Sequence, residues 1–443
     1  MTLEDARPTA PNYPLGQPGE DISLYAGPMR VAGVAVSGRV WMSMTGEVAF
    51  RWAVSDRDWR SMPLGDTSLA FDHSQLGPLD LPGRVTSTAG RGSLSSTTAG
   101  SATSVDELTL HWIGLPAILP AAGLSSPGAA WAGRWEGSGG GWSLRLDARH
   151  DHADIFSRAQ DSPGHVVTHV GTLRRADGRT FSPQEAEDAL AGLHVALSFA
   201  LGRWVAPALS TGHLDGRRVW ELWSAWRCDP VQANYAWWDT HTGDDLRAFA
   251  GLFLDAWTDP ARHDRIRHVA HHLVESNKAA VTLEARIMLV GAALEYLSWV
   301  TFVVGGGRSA RDHPSRASDK LRELLIRAGI ETQVPAELEA FAGLPLPHDR
   351  PQDGPEAVAW VRNRLVHPKD AREPYRLEHL VLQTWQLLMH YGELLVLHEL
   401  GYTGRFKPRY PLGRWAHDSE LVPWALADET HGAVPTPSSD GAG

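Results

Sequence analysis

The sequence predicts an α+β protein: a β-rich N-terminal domain of sandwich or barrel-like form, followed by an all-α domain. Three observations carry that prediction. From about residue 22 to residue 173, and again at 204–226, short apolar stretches alternate with polar ones and are broken by glycine-containing turns, the period-two pattern of half-buried strands. Beyond residue 240 the apolar period lengthens to that of helices. Two segments, opening at Ser182-Pro183-Gln184-Glu185 and Asp353-Gly354-Pro355-Glu356, carry cap, proline and first-turn glutamate signals for a helix start.

In chain order, residues 1–20 are rich in proline and glycine and are expected to form an extended arm. Residues 39–45 and 47–55 flank Gly46 and read as a hairpin. Residues 106–115, 132–137, 142–149 and 165–173 read as further strands. The Ser/Thr/Gly/Ala run at 86–104 is either a long loop or poorly paired strands. Seven tryptophans fall in this region (41, 52, 59, 112, 131, 135 and 142). They either fill a core between sheets or, if exposed, offer stacking surfaces to sugars or bases. A helix runs from Ser182 to about Gly202, and 204–210 and 218–226 flank Asp215-Gly216 as a second hairpin. The domain boundary is placed near residue 240, with a β-rich domain at 21–240, a helical domain at 241–405, and an extension at 406–443 that is disordered from about 427. Helices are expected at 243–257, 260–277, 282–304, 316–328, 355–367 and 374–400.

Composition narrows the function classes. The chain has 443 residues, 43% hydrophobic and 21% charged, which is ordinary for a globular protein of two to three domains. One cysteine, Cys228, excludes an intramolecular disulfide framework and any multi-cysteine zinc site. No basic-then-apolar leader opens the sequence, so a cytoplasmic protein is expected. The net charge of −11 opposes broad coating of nucleic acid, so any RNA site must be local. Residues 287–304 are apolar enough to raise a membrane span, but Glu295 in their middle favours a buried helix and no membrane partner.

The segment 353–368, DGPEAVAWVRNRLVHP, carries the candidate chemistry. At about 100° per residue, with Arg362 as zero, Val358, Val361 and Leu365 fall within roughly 60° of one another as an apolar stripe. Asn363 and His367 fall on the other side, one turn apart, and Arg362 stands at the border. Pro368 ends the helix. Arg364, Lys369, Arg372 and Arg376 crowd the same end, partly offset by Asp370 and Glu373. Glu295 needs a cation if it is buried. It is expected to lie across the bundle and orient Arg362, the competing reading being a carboxylate on a solvent-facing edge. On spacing alone, a structural role for Arg362, Asn363 and His367 is favoured: an ion pair, a backbone turn and a helix cap.

Arg362-Asn363-x-x-x-His367 matches the R-N-x-x-x-H form of the motif of HEPN domains, and its setting, late in a helical region behind a β-rich half, resembles the HEPN domains that follow an ApeA-type N-terminal domain in bacterial anti-phage proteins. The resemblance covers about residues 240–405 and, loosely, the N-terminal half. It implies a four-helix bundle that dimerises, and metal-independent cleavage of RNA leaving a cyclic phosphate, with no cofactor. Arg362 would stabilise phosphate charge, His367 would exchange protons, and Asn363 would position. Glu295 and Arg364 would support them, and Lys369, Arg372 and Arg376 would bind RNA. The N-terminal domain would sense a phage or cellular trigger, in defence or as a toxin. The chemistry is coherent, because the RNA 2′-OH supplies the nucleophile and the protein must supply proton transfer and a cation. A helix C-terminus favours the charged form of His367. The alternatives are a HEPN module that binds RNA or a nucleotide without cutting, and a tryptophan-rich β-domain that binds a ligand such as carbohydrate.

Other chemistries find little support. His268, His271, His272 and Glu275 share a helix, but HExxH is absent and no third ligand is evident, so no metal is expected. None of the four lysines (278, 320, 369, 407) lies in a P-loop, and neither GxSxG nor a strand-linked GxGxxG occurs. Cys228 is expected to be buried and unreactive.

Overall fold

The computed structural model describes residues 6–55, 63–232, 235–370, 372–410 and 418–425. The chain is α+β and divides into two compact units, residues 1–234 with 240–258, and residues 235–239 with 259–443.

The first unit opens with six antiparallel strands: β1 (Ile22–Val31), β2 (Val34–Ser43), β3 (Ala49–Val54), β4 (Gly65–His73), β5 (Gly77–Ser87) and β6 (Arg91–Leu94). They close into a barrel in the order β1-β2-β3-β6-β5-β4. Side chains alternate in and out along each strand. Val40, Met42, Trp52, Leu69 and Leu81 point inward and are at most 2% exposed. Eight further strands form one sheet: β7 (Thr97–Ala99), β8 (Glu107–Ile113), β9 (Ala122–Ser126), β10 (Ala129–Gly139), β11 (Trp142–Ala148), β12 (Val167–Arg175), β13 (Ala206–Leu214) and β14 (Arg217–Trp223), in the order β7-β14-β13-β8-β12-β11-β10-β9. Trp223, Val167 and Leu209 of this sheet share one core with the barrel residues. The Ser/Thr/Gly run therefore folds as β6 and β7 rather than as a loop.

Three helices complete the unit: α1 (His152–Gln160), which the sequence reading did not foresee, α2 (Pro183–Leu201) and α3 (Gly243–Thr258). The capping box of α2 forms as expected: the Ser182 hydroxyl accepts from the Glu185 N–H at 3.2 Å, and Glu185 accepts from the Ser182 N–H at 2.9 Å. Helix α3 moves the boundary expected near 240. It packs on β10, where Trp135 Nε1 donates to the Gly243 carbonyl at 2.9 Å. A Cβ on Gly139 would lie 2.4 Å from the Gly251 Cα, so two glycines let strand and helix backbones touch. The change of hydrophobic period at 240 was real, but period does not say which core a helix joins.

Of the seven tryptophans, Trp52, Trp112, Trp135 and Trp142 are buried, Trp41 and Trp131 are half-buried, and Trp59 lies outside the described residues. The arm is extended but tied down. Thr9 hydrogen-bonds Asp147 at 2.7 and 2.8 Å, the Asn12 N–H donates to His111 Nε2 at 3.2 Å, and the Tyr13 hydroxyl donates to Glu221 at 2.7 Å. It thus crosses the eight-stranded sheet from β11 to β14. His111 is fully buried, and burial pushes its pKa down to about 4; burial likewise holds His169 well below the ordinary histidine value. A histidine with a depressed folded pKa is protonated first in the unfolded chain. Stability is therefore expected to fall as pH drops below about 6.5 and to go on falling toward pH 4. Urea unfolding followed by tryptophan fluorescence should show the midpoint dropping across that window, and a flat profile would contradict the assignment.

The second unit contains α4 (His263–Ser276), α5 (Leu283–Trp299) continued by a π turn at Val300–Val304, α6 (Ala317–Arg327), α7 (Gly354–Val366), α8 (Leu380–Leu400), and a minimal ladder of β15 (Arg405–Phe406) with β16 (Glu420–Leu421). Helices α5 to α8 pack mutually, and α4 lies against α5 and α8 as a fifth. Residues 283–304 are, among the described residues, the one helix long and apolar enough to cross a membrane. Here they pack against all four other helices of the unit. The last helix starts at Leu380, not 374, because His379 adopts a left-handed φ of 63° and residues 373–375 form a separate 3₁₀ turn. After α8 the chain folds back so that Arg409, 3% exposed, pairs in fork fashion with Glu393 (Nε to Oε2 2.9 Å) and donates to Asn277 Oδ1 at 2.8 Å. The tail from about 427 lies outside the described residues.

Candidate functional site around Arg362

Helix α7 is built as its sequence specifies, with one change. Asp353 Oδ1 accepts the Glu356 N–H at 3.0 Å as the cap. Pro355 sits in the first turn, but Glu356 does not reach back to close a capping box. Its carboxylate pairs instead with Arg316 at 2.5 Å and Arg350 at 3.0 Å. Val358 and Val361 are buried, and Leu365 is half-buried. At the other end the His367 N–H donates to the Asn363 carbonyl at 2.8 Å, and the chain leaves the helix before Pro368.

Arg362 turns its guanidinium toward α5. Its Nη1 lies 2.6 Å from Glu295 Oε1, while Lys320 of α6 lies 3.4 Å from Glu295 Oε2. One carboxylate therefore faces two cations, and the group carries a net positive charge. The Arg362 Nε is buried and has no hydrogen-bond partner among the described residues. Arg362, Glu295 and Lys320, with Gly291 and Val358, line a small cleft of about 30 Å³. Gly291 stands one turn before Glu295. A methyl there would lie 3.0 Å from Arg362 Nε and 3.2 Å from its Cδ, so the arginine lies directly over the α5 backbone.

The remaining motif residues face elsewhere. Asn363 and His367 are exposed, and no hydrogen bond joins their side chains to Arg362. Arg364 lies over the Trp360 ring at 5.0 Å. Lys369 and Arg372 are exposed, and Arg376 is ion-paired with Asp370. Within one chain the helix thus presents a buried-edge cation and, beyond it, an exposed imidazole and amide at the helix end. Sequence reasoning found Glu295 but missed Lys320 and Gly291. Gly291 had a readable signal, a glycine four residues before the lone acid of an apolar helix. Lys320 had none, because its partner is 25 residues away on another helix.

The two candidates set aside on sequence have definite environments. The His268 ring lies 4.3 Å from that of His272 and 4.1 Å from that of Tyr296, tilted to each, and Glu275 pairs with Lys278 at 3.4 Å. Burial, and then the neighbouring His272, lower the His268 pKa. Cys228, expected to be buried, is half-buried; desolvation pushes its thiol up to about 12, against the pull of Arg203, so it is not a thiolate at neutral pH.

Residues 100–234 match the YopA central domain, and residues 259–420 match the YopA C-terminal domain. The chain is similar to YopA. The relative is the SPbeta prophage-derived uncharacterized protein YopA of Bacillus subtilis (strain 168), 30% identical over 298 residues. That alignment spans 65% of this chain and 65% of the relative, just under two thirds of its length. No solved structure matches. The two domain matches follow the structural division, leaving 235–258 between them. The C-terminal match contains Glu295, Lys320, Arg362 and His367.

Gly291→Ala tests the packing directly. The added methyl is expected to push the guanidinium off Glu295 without emptying any core. The thermal midpoint should stay within a few degrees of wild type, and, should the site cut RNA, cleavage is expected to fall several-fold. Unchanged cleavage would show that Arg362 need not occupy this position.

Proposed function

We propose that the protein is a metal-independent endoribonuclease of HEPN type, acting as a cytoplasmic defence or toxin protein. The observation that supports it most is the holding of Arg362. A motif arginine at a helix border is fixed by a carboxylate from another helix, and a glycine makes room for it, while the motif histidine stands exposed five residues on at the helix end. A merely structural arginine would not require an exposed imidazole at the end of the same helix.

In this reading the RNA 2′-oxygen attacks the adjacent phosphorus while the bond to the 5′-oxygen breaks, giving a 2′,3′-cyclic phosphate and a 5′-hydroxyl. His367 takes the proton from the 2′-OH or delivers one to the departing 5′-oxygen, and a second copy of the chain supplies the complementary histidine. Arg362 lends its planar fork to the phosphate oxygens as charge builds there. Glu295 is a positioning residue, and Lys320 keeps that carboxylate from cancelling Arg362 fully. Asn363 orients the substrate, with Arg364 in support. Lys369 and Arg372 lead the approach to RNA, and Arg376 contributes less because Asp370 engages it.

The test is incubation of the purified full chain with RNA in EDTA, with the product ends analysed. Cyclic-phosphate ends that disappear with His367→Ala are expected. RNA retained without cleavage under any condition would leave a non-catalytic RNA-binding module, a reading favoured by the lack of any bond between Arg362 and His367 within one chain.

A further inference from the structure

The outward face of β2, β3, β6 and β5 carries four arginines that make no ion pair among the described residues. Strand pairing places Trp41, Arg51, Ser93 and Arg84 side by side across β2, β3, β6 and β5. Two residues along, Arg39, Ala53 and Arg91 form the adjacent row. All point outward, because Val40, Trp52, Gly92 and Val85 between them are buried. With strands about 4.8 Å apart and rows about 7 Å apart, the four guanidiniums share a patch roughly 14 Å across before side-chain reach is added. Arg39 lies over the half-buried Trp41 ring at 4.5 Å. Among the described residues none of the four makes an ion pair. The nearest acid by register is Asp66, opposite Arg84 at the edge of the patch, and it is not bonded to it.

Four arginines without an ion pair on one small face of a chain with net charge −11 repel one another, and among the described residues only Asp66, at the edge of the patch, stands close enough by register to offset that repulsion. From this we infer that the β2-β3-β6-β5 face of the barrel binds single-stranded nucleic acid through its phosphates, with a base stacked on the Arg39–Trp41 pair. Arginine, rather than the point charge of lysine, suits bidentate contact to phosphate and stacking on a base. The outer wall of a closed barrel is convex and has no projecting helix or ribbon to enter a duplex groove, whereas a single strand can lie across it. The inference stands apart from the Arg362 reading, since it concerns binding on the other unit and requires no cleavage.

The experiment uses the full chain and a labelled oligothymidylate about twenty nucleotides long, longer than a typical single-strand site and lacking the 2′-OH that the proposed cleavage needs. Affinity is followed by fluorescence anisotropy from about 50 to 200 mM salt. Replacing Arg39, Arg51, Arg84 and Arg91 together by serine is expected to weaken binding about tenfold or more and to remove about three units from the log–log salt slope, roughly 0.7 per phosphate contact. The fourfold lysine variant retains the charge and should keep the slope, which separates lost binding from lost folding. Trp41→Ala should weaken binding about fivefold or more with the slope unchanged. Serine and wild-type chains binding alike, or binding lost in Arg362→Ala but not in the serine variant, would overturn the inference while leaving the helical site untouched. Tighter capture by phosphatidylserine vesicles than by the oligonucleotide would overturn it too, by assigning the face to a membrane surface.

Discussion

Arg362→Ala is expected to lower the rate of RNA cleavage by about 100- to 1000-fold, the usual loss when a preorganised group facing transition-state charge is removed. Folding should be little affected, because the side chain is about a quarter exposed and its loss frees Glu295 to pair fully with Lys320, already 3.4 Å away. Arg362→Lys should rescue little, since an ammonium cannot present two parallel donors to a phosphate. Glu295→Gln separates the two roles proposed for this pair. The cation would remain but lose its anchor, so a smaller loss, about tenfold, is expected, with the pH profile unchanged because no proton passes through Glu295. His367→Ala, by contrast, should remove the pH dependence along with about 100-fold or more of the rate. Single-turnover cleavage of a labelled RNA, measured across pH for all four variants, checks the set. Full activity in Arg362→Ala would remove the basis of the nuclease reading.

The largest expected effect on stability lies away from that site. Arg409 and Glu393 are each almost wholly buried, with side chains 2% and 4% exposed. Arg409 also donates to Asn277, whose amide in turn donates to the Tyr235 carbonyl at 2.7 Å. Arg409→Ala strands the Glu393 carboxylate inside the helical unit, which should cost about 3–5 kcal/mol. Glu393→Ala should cost a similar amount for the converse reason. Replacing both together by apolar residues of similar size, Arg409→Met with Glu393→Leu, should recover most of the loss, because no charge is then left unpaired. Urea unfolding followed by far-ultraviolet circular dichroism compares the three. If Arg409→Ala lay within about 0.5 kcal/mol of wild type, the pair would have to be solvated and the fold-back of residues 402–410 held by other contacts.

Much of the candidate site was legible because its signals are local. Asp353, Pro355 and Pro368 bound α7 through backbone geometry that each residue imposes on its own neighbours, and the Val358–Val361 stripe follows from helical period. The Glu295–Arg362 pair is a long-range contact that the sequence left open, because a carboxylate in an apolar helix needs a cation only where it is buried, and Glu295 remains a third exposed. The failure of the capping box at Glu356 shows the limit. Two arginines distant in sequence offered its carboxylate stronger partners than a backbone N–H.

By itself the sequence determined the α+β class, most strand and helix positions, and the residues on each face of α7, because alternation, period and caps act over a few residues. Only the tertiary structure decided that the strands divide into a closed barrel and a separate eight-stranded sheet, that the arm lies pinned across that sheet, and that α3 belongs to the first unit. Those outcomes depend on which distant surfaces meet: the Gly139–Gly251 contact and Tyr13 against Glu221 join residues 112 and 208 positions apart. Pairings of that kind are selected by the burial and hydrogen bonding of the whole domain, which no short window of sequence contains.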